Sequence, residues 1–316
     1  MKMLTRNETA QFLRDHDRYC IITHCRPDGD TLGSSAALCR ILRAMGKTAH
    51  LLVNSEVTPR YSFLPEGLTV EQPGDDDTLV SVDVASPKML SREALPYKER
   101  IALRIDHHDS ATSFTPVELV DPTAGACAEI IWDLAQELGV SMDQATADAI
   151  YTAVSTDTGC FRFSNTTEQT FQVAAACTAA GARVFRLNQE LFETISLTKL
   201  KMQSWIVEHM ELFGDGKLAL VAIPASVEQE LGVTEDDMDN ISSFPRNIAG
   251  VCMAATLRQS KEGKTKLSVR AVPGYDATLV AGVFGGGGHK GASGASAAMP
   301  LEEMAAAVKA AMLEQQ

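Results

Sequence analysis

The chain has 316 residues, of which 45% are hydrophobic and 22% are charged. At about 150 residues per domain, this length predicts two domains that each bury a core, which excludes a small disulfide-stapled scaffold. The 28 Lys and Arg residues against 41 Asp and Glu residues give a formal net charge of −13, so the surface would repel long duplex DNA. A short anion held at a local site is compatible with that charge.

The N-terminal segment 1–18 contains no continuous apolar stretch, so we do not interpret it as a secretory signal. No segment reaches the roughly 18 apolar residues of a membrane span. The 7 cysteines are scattered and include no C-x-x-C pair, a pattern typical of free thiols in a reducing compartment. We therefore expect a cytoplasmic protein without a membrane partner.

The first half of the chain alternates short apolar runs with helical patterns. Strands are predicted at 19–23, 49–53, 79–83 and 101–106. A helix predicted at 34–45 lies between the first two strands, which is the βαβ rhythm of a parallel sheet. The last two strands end in Asp83 and Asp106. Open parallel sheets bind ligands beyond the carboxyl ends of their strands, so both aspartates are candidate site residues.

The rest of the chain predicts more helices and then a second α/β unit. The predicted helices are 126–138, 142–155, 167–180, 277–284 and 301–313, with an amphipathic segment at 196–213 and strands at 218–223, 251–257 and 266–272. The turn signal after residue 213 marks a domain connection. We predict an N-terminal domain at 1–190, a helical linker at 191–214 and a C-terminal domain at 215–316.

The segment after the first strand carries a high density of chemically active side chains. His24, Asp28 and Asp30 lie within 7 residues, on a loop that Gly29 would bend. Two carboxylates at positions i and i+2 across a glycine can point toward neighbouring cations. The alternative interpretation is a polar loop in which Asp30 or Thr31 caps the next helix.

Aspartate and histidine recur at later element ends. Asp83 and the Asp-His-His run at 106–108 follow strands, and Asp157 follows the helix predicted at 142–155. A parallel sheet would gather these segments along one edge. Oxygen donors mixed with a few imidazoles suit Mn²⁺ or a similar ion, whereas a structural zinc site would show a thiolate pattern. The number of carboxylates is sufficient for two metal ions.

A run of glycines that ends in His289 is a candidate anion clamp, because glycine lets backbone amides approach a phosphate closely. The alternative is an ordinary turn. An arginine side chain can donate two hydrogen bonds to one terminal phosphate, so Arg246 and Arg270, which precede the glycine run, are also candidates. The candidate substrate-binding residues of this unit are Arg246, Ser268, Arg270, Gly286, Gly287, Gly288 and His289.

These segments resemble the successive motifs of the DHH-family phosphoesterases, from about residue 19 to residue 296. The run at 106–108 is similar to the family signature, 24–30 to the first motif and Asp83 to the second. The last motif corresponds to 156–165, and the Gly-Gly-Gly-His run at 286–289 resembles the nucleotide-gripping loop of the associated C-terminal domain. The chain departs from the family at Ala271, where a serine is usual.

The resemblance implies an α/β fold, with a parallel-sheet metal-binding domain, a smaller C-terminal α/β substrate-binding domain and the active site in the cleft between them. It implies two Mn²⁺ ions, or other divalent ions. One would be held by His24, Asp28 and Asp83, and the other by Asp30, Asp83, His107 and Asp157, with Asp83 bridging. His108 would bind a phosphoryl oxygen or protonate the leaving alkoxide, and Asp106 would orient a histidine.

The implied function is hydrolysis of very short single-stranded RNAs and linear dinucleotides to nucleoside 5′-monophosphates. The same site would remove the 3′-phosphate of 3′-phosphoadenosine 5′-phosphate (PAP). The main alternative is a cyclic dinucleotide phosphodiesterase. An inorganic pyrophosphatase is less favoured, because it would carry an Arg- and Lys-rich loop in place of 285–289. A catalytically inactive nucleotide-binding module is also less favoured, because it would lack the full set of metal ligands. Assembly as a homodimer is compatible with the resemblance.

Overall fold

A computed structural model describes residues 2–108, 112–238, 240–260 and 263–315. The chain divides into two compact units, Met1–Thr194 and Ile195–Gln316. This division lies inside the segment 191–214 that the sequence analysis assigns to a linker. Among the described residues, no helix combines the length and the apolar character needed to cross a membrane.

The first unit is built on a seven-stranded parallel sheet. Its strands are β1 (Lys2–Met3), β2 (Tyr19–Ile22), β3 (Ala49–Leu52), β4 (Thr69–Val70), β5 (Thr78–Val82), β6 (Ile101–Asp106) and β7 (Val117–Val120). Their order is β1-β7-β6-β5-β2-β3-β4, and every neighbouring pair is parallel. The helices are α1 (Arg6–Asp15), α2 (Gly29–Ala44), α3 (Cys127–Leu138), α4 (Gln144–Asp157), α5 (Glu168–Ala179) and α6 (Val184–Asn188).

The central strands are buried on both faces, as expected of a parallel sheet covered on each side. Along β2, Tyr19 and Ile21 pack into the larger core, to which α2, α3 and α4 contribute. Cys20 and Ile22 point to the other face and pack into a smaller cluster with Leu79 of β5. The two-residue period of the strand therefore supplies both layers of the core.

Helix α2 begins five residues earlier than the predicted 34–45. Asp28, rather than Asp30 or Thr31, is the N-cap: its side chain accepts hydrogen bonds from Asp30 N at 3.0 Å and Thr31 N at 3.1 Å. The capping prediction was therefore wrong in its residue. Gly29 is needed for a close approach, since a Cβ there would lie 2.3 Å from Thr156 Oγ1 of α4. The two carboxylates thus stand on the first turn of a helix rather than on a bent loop.

The second unit contains a six-stranded mixed sheet. Its helices are α7 (Leu197–His209), α8 (Ala225–Leu231), α9 (Glu235–Met238), α10 (Ala277–Gly282) and α11 (Leu301–Leu313). Its strands are β8 (Glu211–Phe213), β9 (Leu218–Ile223), β10 (Met253–Gln259), β11 (Thr265–Ala271), β12 (Gly287–His289) and β13 (Ala292–Ala297), in the order β12-β13-β11-β10-β9-β8. The predicted fold class, a parallel α/β domain followed by a smaller α/β domain, is confirmed.

Two predicted segments of the second unit differ from the structure. The helix expected over 196–213 ends at His209, because the chain turns extended at Met210 and residues 211–213 pair antiparallel with β9. The glycine-rich segment expected to be a loop forms the edge strand β12 from Gly287 to His289. Both segments pair in hairpins with the next strand, at 218–223 and 292–297, and this pairing rather than the residues' own strand preference sets their conformation.

Candidate metal centre

The strand order brings the predicted site residues of the first unit to one edge. β6, β5 and β2 are neighbours and run parallel, so their carboxyl ends lie side by side. Asp83 follows β5 directly, His24 follows β2 by two residues, and the run 106–108 begins on the last residue of β6. The sheet therefore assembles side chains that are far apart in sequence.

The first group of close donor atoms consists of His24, Asp28 and Asp83. His24 Nε2 lies 3.6 Å from Asp28 Oδ1 and 3.8 Å from Asp83 Oδ2. The other ring nitrogen, Nδ1, is 2.8 Å from the Cys25 carbonyl oxygen, so it donates there and leaves Nε2 with a free lone pair. Asn54 fixes this loop by donating to the His24 carbonyl at 2.9 Å.

The second group consists of Asp30, His107 and Asp157. His107 Nε2 lies 3.7 Å from Asp30 Oδ2, 3.6 Å from Asp83 Oδ1 and 3.7 Å from Asp157 Oδ2. The carbonyl oxygen of Ala124 lies 3.1 Å from Nδ1, which sets the tautomer that presents a lone pair at Nε2. The three carboxylates therefore surround the Nε2 atom of one imidazole ring.

Asp83 lies between the two groups and presents one oxygen to each. Oδ2 faces His24 and Oδ1 faces His107. Within the described residues, Oδ1 is buried and has no hydrogen-bond partner. Asp83 also adopts a left-handed backbone conformation with φ of 60°, which few residue types other than glycine, asparagine and aspartate tolerate. A buried, unpartnered carboxylate oxygen between two sets of ligand-type atoms fits cations on both sides.

The remaining carboxylates are held by helix termini. Asp30 Oδ2 accepts from Cys127 N at 2.7 Å and its Oδ1 from Ala128 N at 3.2 Å, so the N-terminus of α3 fixes its orientation. Asp157 is the last residue of α4, not part of the loop expected after residue 155. Asn165 Nδ2 lies 3.3 Å from Asp157 Oδ2, which steers that carboxylate.

The last two residues of the run 106–108 have different partners. His108 Nδ1 donates to Asp106 Oδ1 at 2.7 Å, which leaves its Nε2 without a hydrogen bond among the described residues. Asp106 therefore orients His108 rather than His107, whose ring bonds to a carbonyl instead. Asp106 was expected from the sequence to orient a histidine, and its hydrogen-bond partner is His108.

Three residues that position the site had no assigned role in the sequence analysis. Asn54 and Asn165 hold His24 and Asp157 as described above, and Arg104 forms an ion pair with Asp106 at 2.9 Å. A sequence signal existed for Asn54, which follows β3 at the same sheet edge as the other site residues. Arg104 carried a signal too, since it lies two residues before Asp106 on a strand, whereas the contact of Asn165 depends on tertiary packing.

Crowded carboxylates change each other's protonation. Burial raises the pKa of Asp83 well above its usual value, and repulsion from Asp30 and Asp28 adds to the effect. Burial likewise raises the pKa of Asp157 to about 8, with a contribution from the Asp30 charge. Burial lowers the pKa of His107, but the charges of Asp30 and Asp157 outweigh it and the net shift is upward. Without cations, the centre retains protons near neutral pH.

This protonation predicts a pH dependence of the metal-free protein. Between pH about 4 and about 8, folded Asp157 keeps a proton that the unfolded chain has released, so stability falls as pH rises through that window. We expect melting in EDTA at a temperature several degrees lower at pH 8.5 than at pH 5.5. Asp157→Asn should flatten this slope, and Mn²⁺ should restore stability at pH 8.5. Equal pH slopes for the wild type and the variant would contradict the assignment.

The predicted substrate-binding residues all lie in the second unit. His289 on β12 and Arg270 on β11 are both registered with Ala292 of β13, so their side chains project from the same face of the sheet. Ser268 and Gly287 are likewise both registered with Gly294. Leu267 and Val269 of β11 point into the core, so this face is the one opposite that core.

Arg246 lies in a short helical segment, Pro245–Asn247, that is followed by Ile248. Ile248 packs on Ala219 and Ala254, and Ala254 is registered with Arg270. Arg246 therefore belongs to a segment that covers the same face of the sheet. Within the second unit, the structure places the candidate substrate-binding residues on or beside one face.

Two family models match the chain, one within each of the two units. The model of the DHH family, N-terminal domain, matches residues 18–154, and that of the DHHA1 domain matches residues 215–314. A bifunctional oligoribonuclease and PAP phosphatase NrnA of Thermus thermophilus is 34% identical over 87% of this chain and 83% of its own length. The cyclic-di-AMP phosphodiesterase GdpP of Bacillus subtilis is 22% identical over 88% of this chain but only 45% of its own length.

Solved structures agree in fold. An exopolyphosphatase-related protein from Bacteroides fragilis superposes with a TM-score of 0.88 at 21% identity, covering 98% of this chain and 95% of its own. RecJ from Thermus thermophilus in complex with Mn²⁺ has a TM-score of 0.53 at 16% identity, covering 98% of this chain and 55% of its own. At these identities the likeness supports the fold and no finer property.

Proposed function

The chain belongs to the DHH family, and from this premise we propose that it hydrolyses very short oligonucleotides to nucleoside 5′-monophosphates and PAP to AMP and phosphate. It is a metal-dependent phosphodiesterase and phosphatase. The observation that carries the proposal is the position of Asp83, whose two oxygens face two separate sets of histidine and carboxylate donors. Such an arrangement suits a pair of cations that clamp one phosphoryl group.

DHH phosphoesterases depend on divalent metal ions, and the donors here fit that requirement. The unpartnered Oδ1 of Asp83 and the crowding of carboxylates both favour bound cations. We infer that His24, Asp28 and Asp83 hold one ion and that Asp30, Asp83, His107 and Asp157 hold the other. The mixture of oxygen and imidazole donors suits Mn²⁺. When bound, the ions would supply Lewis acidity to a phosphoryl group.

The protein's own residues would handle the proton of the leaving group. The Asp106 carboxylate accepts the Nδ1 proton of His108 and so fixes the orientation of that ring, with Nε2 left for the substrate. In the imidazolium form, Nε2 carries a proton that it can donate to a phosphoryl oxygen or to the departing alkoxide. His108 is therefore the residue that we expect to contact the reacting phosphate.

The second unit supports recognition of the nucleotide. Arg270 and His289 offer donors on one face of its sheet, and Gly286 and Gly288 leave no room for side chains. A Cβ at Gly286 would lie 2.2 Å from the Gly294 carbonyl oxygen. Together with Arg246 and Ser268, these residues form the proposed phosphate and base clamp.

The relatives' names and the charge of the chain both favour a small substrate. A dinucleotide needs one local clamp, whereas long nucleic acid needs a basic track that a net charge of −13 opposes. The limited coverage of the cyclic-di-AMP phosphodiesterase makes that activity the second candidate. The free cysteines fit a reducing cytoplasm, and assembly as a homodimer is compatible with this function.

The test compares Mn²⁺-dependent turnover of linear pApA, PAP and cyclic di-AMP at one concentration, with a chelator control. We expect rapid release of AMP from the first two substrates and slow turnover of the cyclic one. If cyclic di-AMP is hydrolysed as fast as the linear substrates or faster, the function would instead be the degradation of a cyclic dinucleotide second messenger. Lack of turnover on all three substrates would overturn the proposed function.

Substitution of His289 tests the clamp. His289→Ala should raise KM for pApA by about tenfold, because loss of one charge-assisted hydrogen bond removes about 1.5 kcal/mol or more of binding free energy. KM for bis-p-nitrophenyl phosphate, which has no nucleoside to recognise, should change little. Equal increases for both substrates would mean that the glycine strand has a structural role only. Lys309→Ala is the matched control, because Lys309 lies on α11, which packs on the opposite face of the sheet.

A further inference from the structure

We propose that Arg104 is a positioning residue of the active site and that it holds His108 in its working orientation through Asp106. The inference rests on the proposed function, in which His108 contacts the reacting phosphate. Arg104 and Asp106 lie two residues apart on β6, so their side chains share one face of the sheet. Arg104 is only 1% exposed. A side chain so deeply buried acts through its neighbours rather than on substrate.

The guanidinium group occupies one oxygen of Asp106 and leaves the other for the histidines. Arg104 Nε and Nη2 both donate to Asp106 Oδ2, at 3.1 Å and 2.9 Å. The opposite oxygen, Oδ1, accepts from His107 N at 2.7 Å, His108 N at 3.2 Å and His108 Nδ1 at 2.7 Å. The carboxylate is therefore fixed from both sides.

Arg104 is itself braced at its far end. Nη1 donates to Glu118 Oε2 at 3.1 Å and to the Thr112 carbonyl at 3.2 Å. Glu118 Oε1 accepts from Ser113 Oγ at 2.8 Å and from Phe114 N at 3.0 Å. The guanidinium thus bridges two buried carboxylates in a planar geometry that lysine cannot reproduce.

This bridge explains why the His108 ring keeps one orientation. The last torsion of an aspartate side chain has a broad energy minimum, so an Asp106 carboxylate held only at Oδ1 could pivot about that oxygen and let the imidazole follow. The two hydrogen bonds from Arg104 remove that freedom. Loss of a residue that orients a reacting group through hydrogen bonds typically lowers activity by about 10- to 100-fold. The loss should appear in kcat rather than in KM, because Arg104 does not contact substrate.

The variants must separate positioning from folding. Arg104→Met alone would leave Asp106 and Glu118 as uncompensated buried charges, which is a folding risk. The double variant Arg104→Met/Glu118→Gln removes one charge of each sign, keeps an acceptor for Ser113 Oγ and Phe114 N and should fold, yet it still lacks the anchor of Asp106. Glu118→Gln is the matched control, since it weakens the far end of the bridge and retains the contact between Arg104 and Asp106.

Turnover of pApA gives the first readout. We expect kcat of the double variant to fall by about 10- to 100-fold with KM within about twofold of the wild type. The kcat of Glu118→Gln should stay within about twofold of the wild-type value, even if this variant melts at a lower temperature. Arg104→Lys should retain only part of the wild-type activity, because lysine keeps the positive charge but lacks the planar guanidinium group. A double variant with wild-type kcat would overturn the proposal.

The second readout needs no activity. In the metal-free protein labelled with ¹⁵N-histidine, the hydrogen-bonded Nδ1 proton of His108 should give a far-downfield NMR signal, assigned by its absence in His108→Asn. The signal should persist in Glu118→Gln and be lost or shifted in the double variant. An unchanged signal in the double variant would overturn the proposal. If the wild type turned over no nucleotide, the proposed function would fail, and the NMR comparison would still decide the role of Arg104.

Discussion

Replacing Asp83 by asparagine is expected to lower turnover by about 10⁴-fold and to abolish the stabilisation of the protein by Mn²⁺. Asp83 faces both donor groups, so a neutral amide in its place would weaken both proposed ion sites at once. A loss of about 5 to 6 kcal/mol of transition-state stabilisation corresponds to this factor. The measurements are kcat for pApA and the thermal shift produced by Mn²⁺.

Asparagine is preferred to alanine because of the backbone at this position. Asp83 has a φ of 60°, a conformation that asparagine tolerates and that costs alanine about 1 kcal/mol. Asp83→Asn also removes one negative charge from a crowded buried cluster, so the metal-free variant should melt no lower than the wild type.

The matched control for this experiment is Asp76→Asn, which makes the same chemical change on an exposed loop. It should leave turnover and the Mn²⁺ shift unchanged. Wild-type turnover by Asp83→Asn would remove the bridging role from the metal model. A folded variant that has lost activity but keeps the full Mn²⁺ shift would contradict the shared-ligand assignment.

Replacing His108 by asparagine is expected to lower kcat for pApA by about 10²- to 10³-fold while Mn²⁺ still stabilises the protein. Asparagine places an amide where Nδ1 now donates to Asp106, so the carboxylate keeps a partner. It lacks any group at the position of Nε2, which is the atom proposed to donate a proton. Positioned proton donors typically contribute a factor of this size.

Two comparisons sharpen the His108 experiment. With bis-p-nitrophenyl phosphate the leaving group is a stable anion that needs no proton, so a smaller loss there than with pApA would identify His108 as the general acid. Equal losses would identify it as a ligand of the phosphoryl oxygen. His16→Asn, at an exposed position after α1, is the matched control and should be neutral. Undiminished turnover by His108→Asn would exclude both roles.

The sequence alone located the polar residues that gather at one edge of the sheet of the first unit. Polar residues that follow apolar strand patterns can be assigned to one sheet edge, because parallel strands end on the same side. His24, Asp83 and the run 106–108 were identified in that way, and the structure brings them together. The strands predicted at 101–106 and 218–223 match β6 and β9 in full. The second is a continuous apolar run, as is usual for buried strands in α/β folds.

Only the tertiary structure decided the contacts between distant segments. The need for a glycine at position 29 comes from Thr156 of α4, which no local pattern around α2 could report. The bridge from Glu118 through Arg104 to Asp106 depends on the pairing of β6 with β7. Local patterns encode which residues are apolar, polar or turn-forming, whereas packing and hydrogen bonding across the chain decide which of them meet.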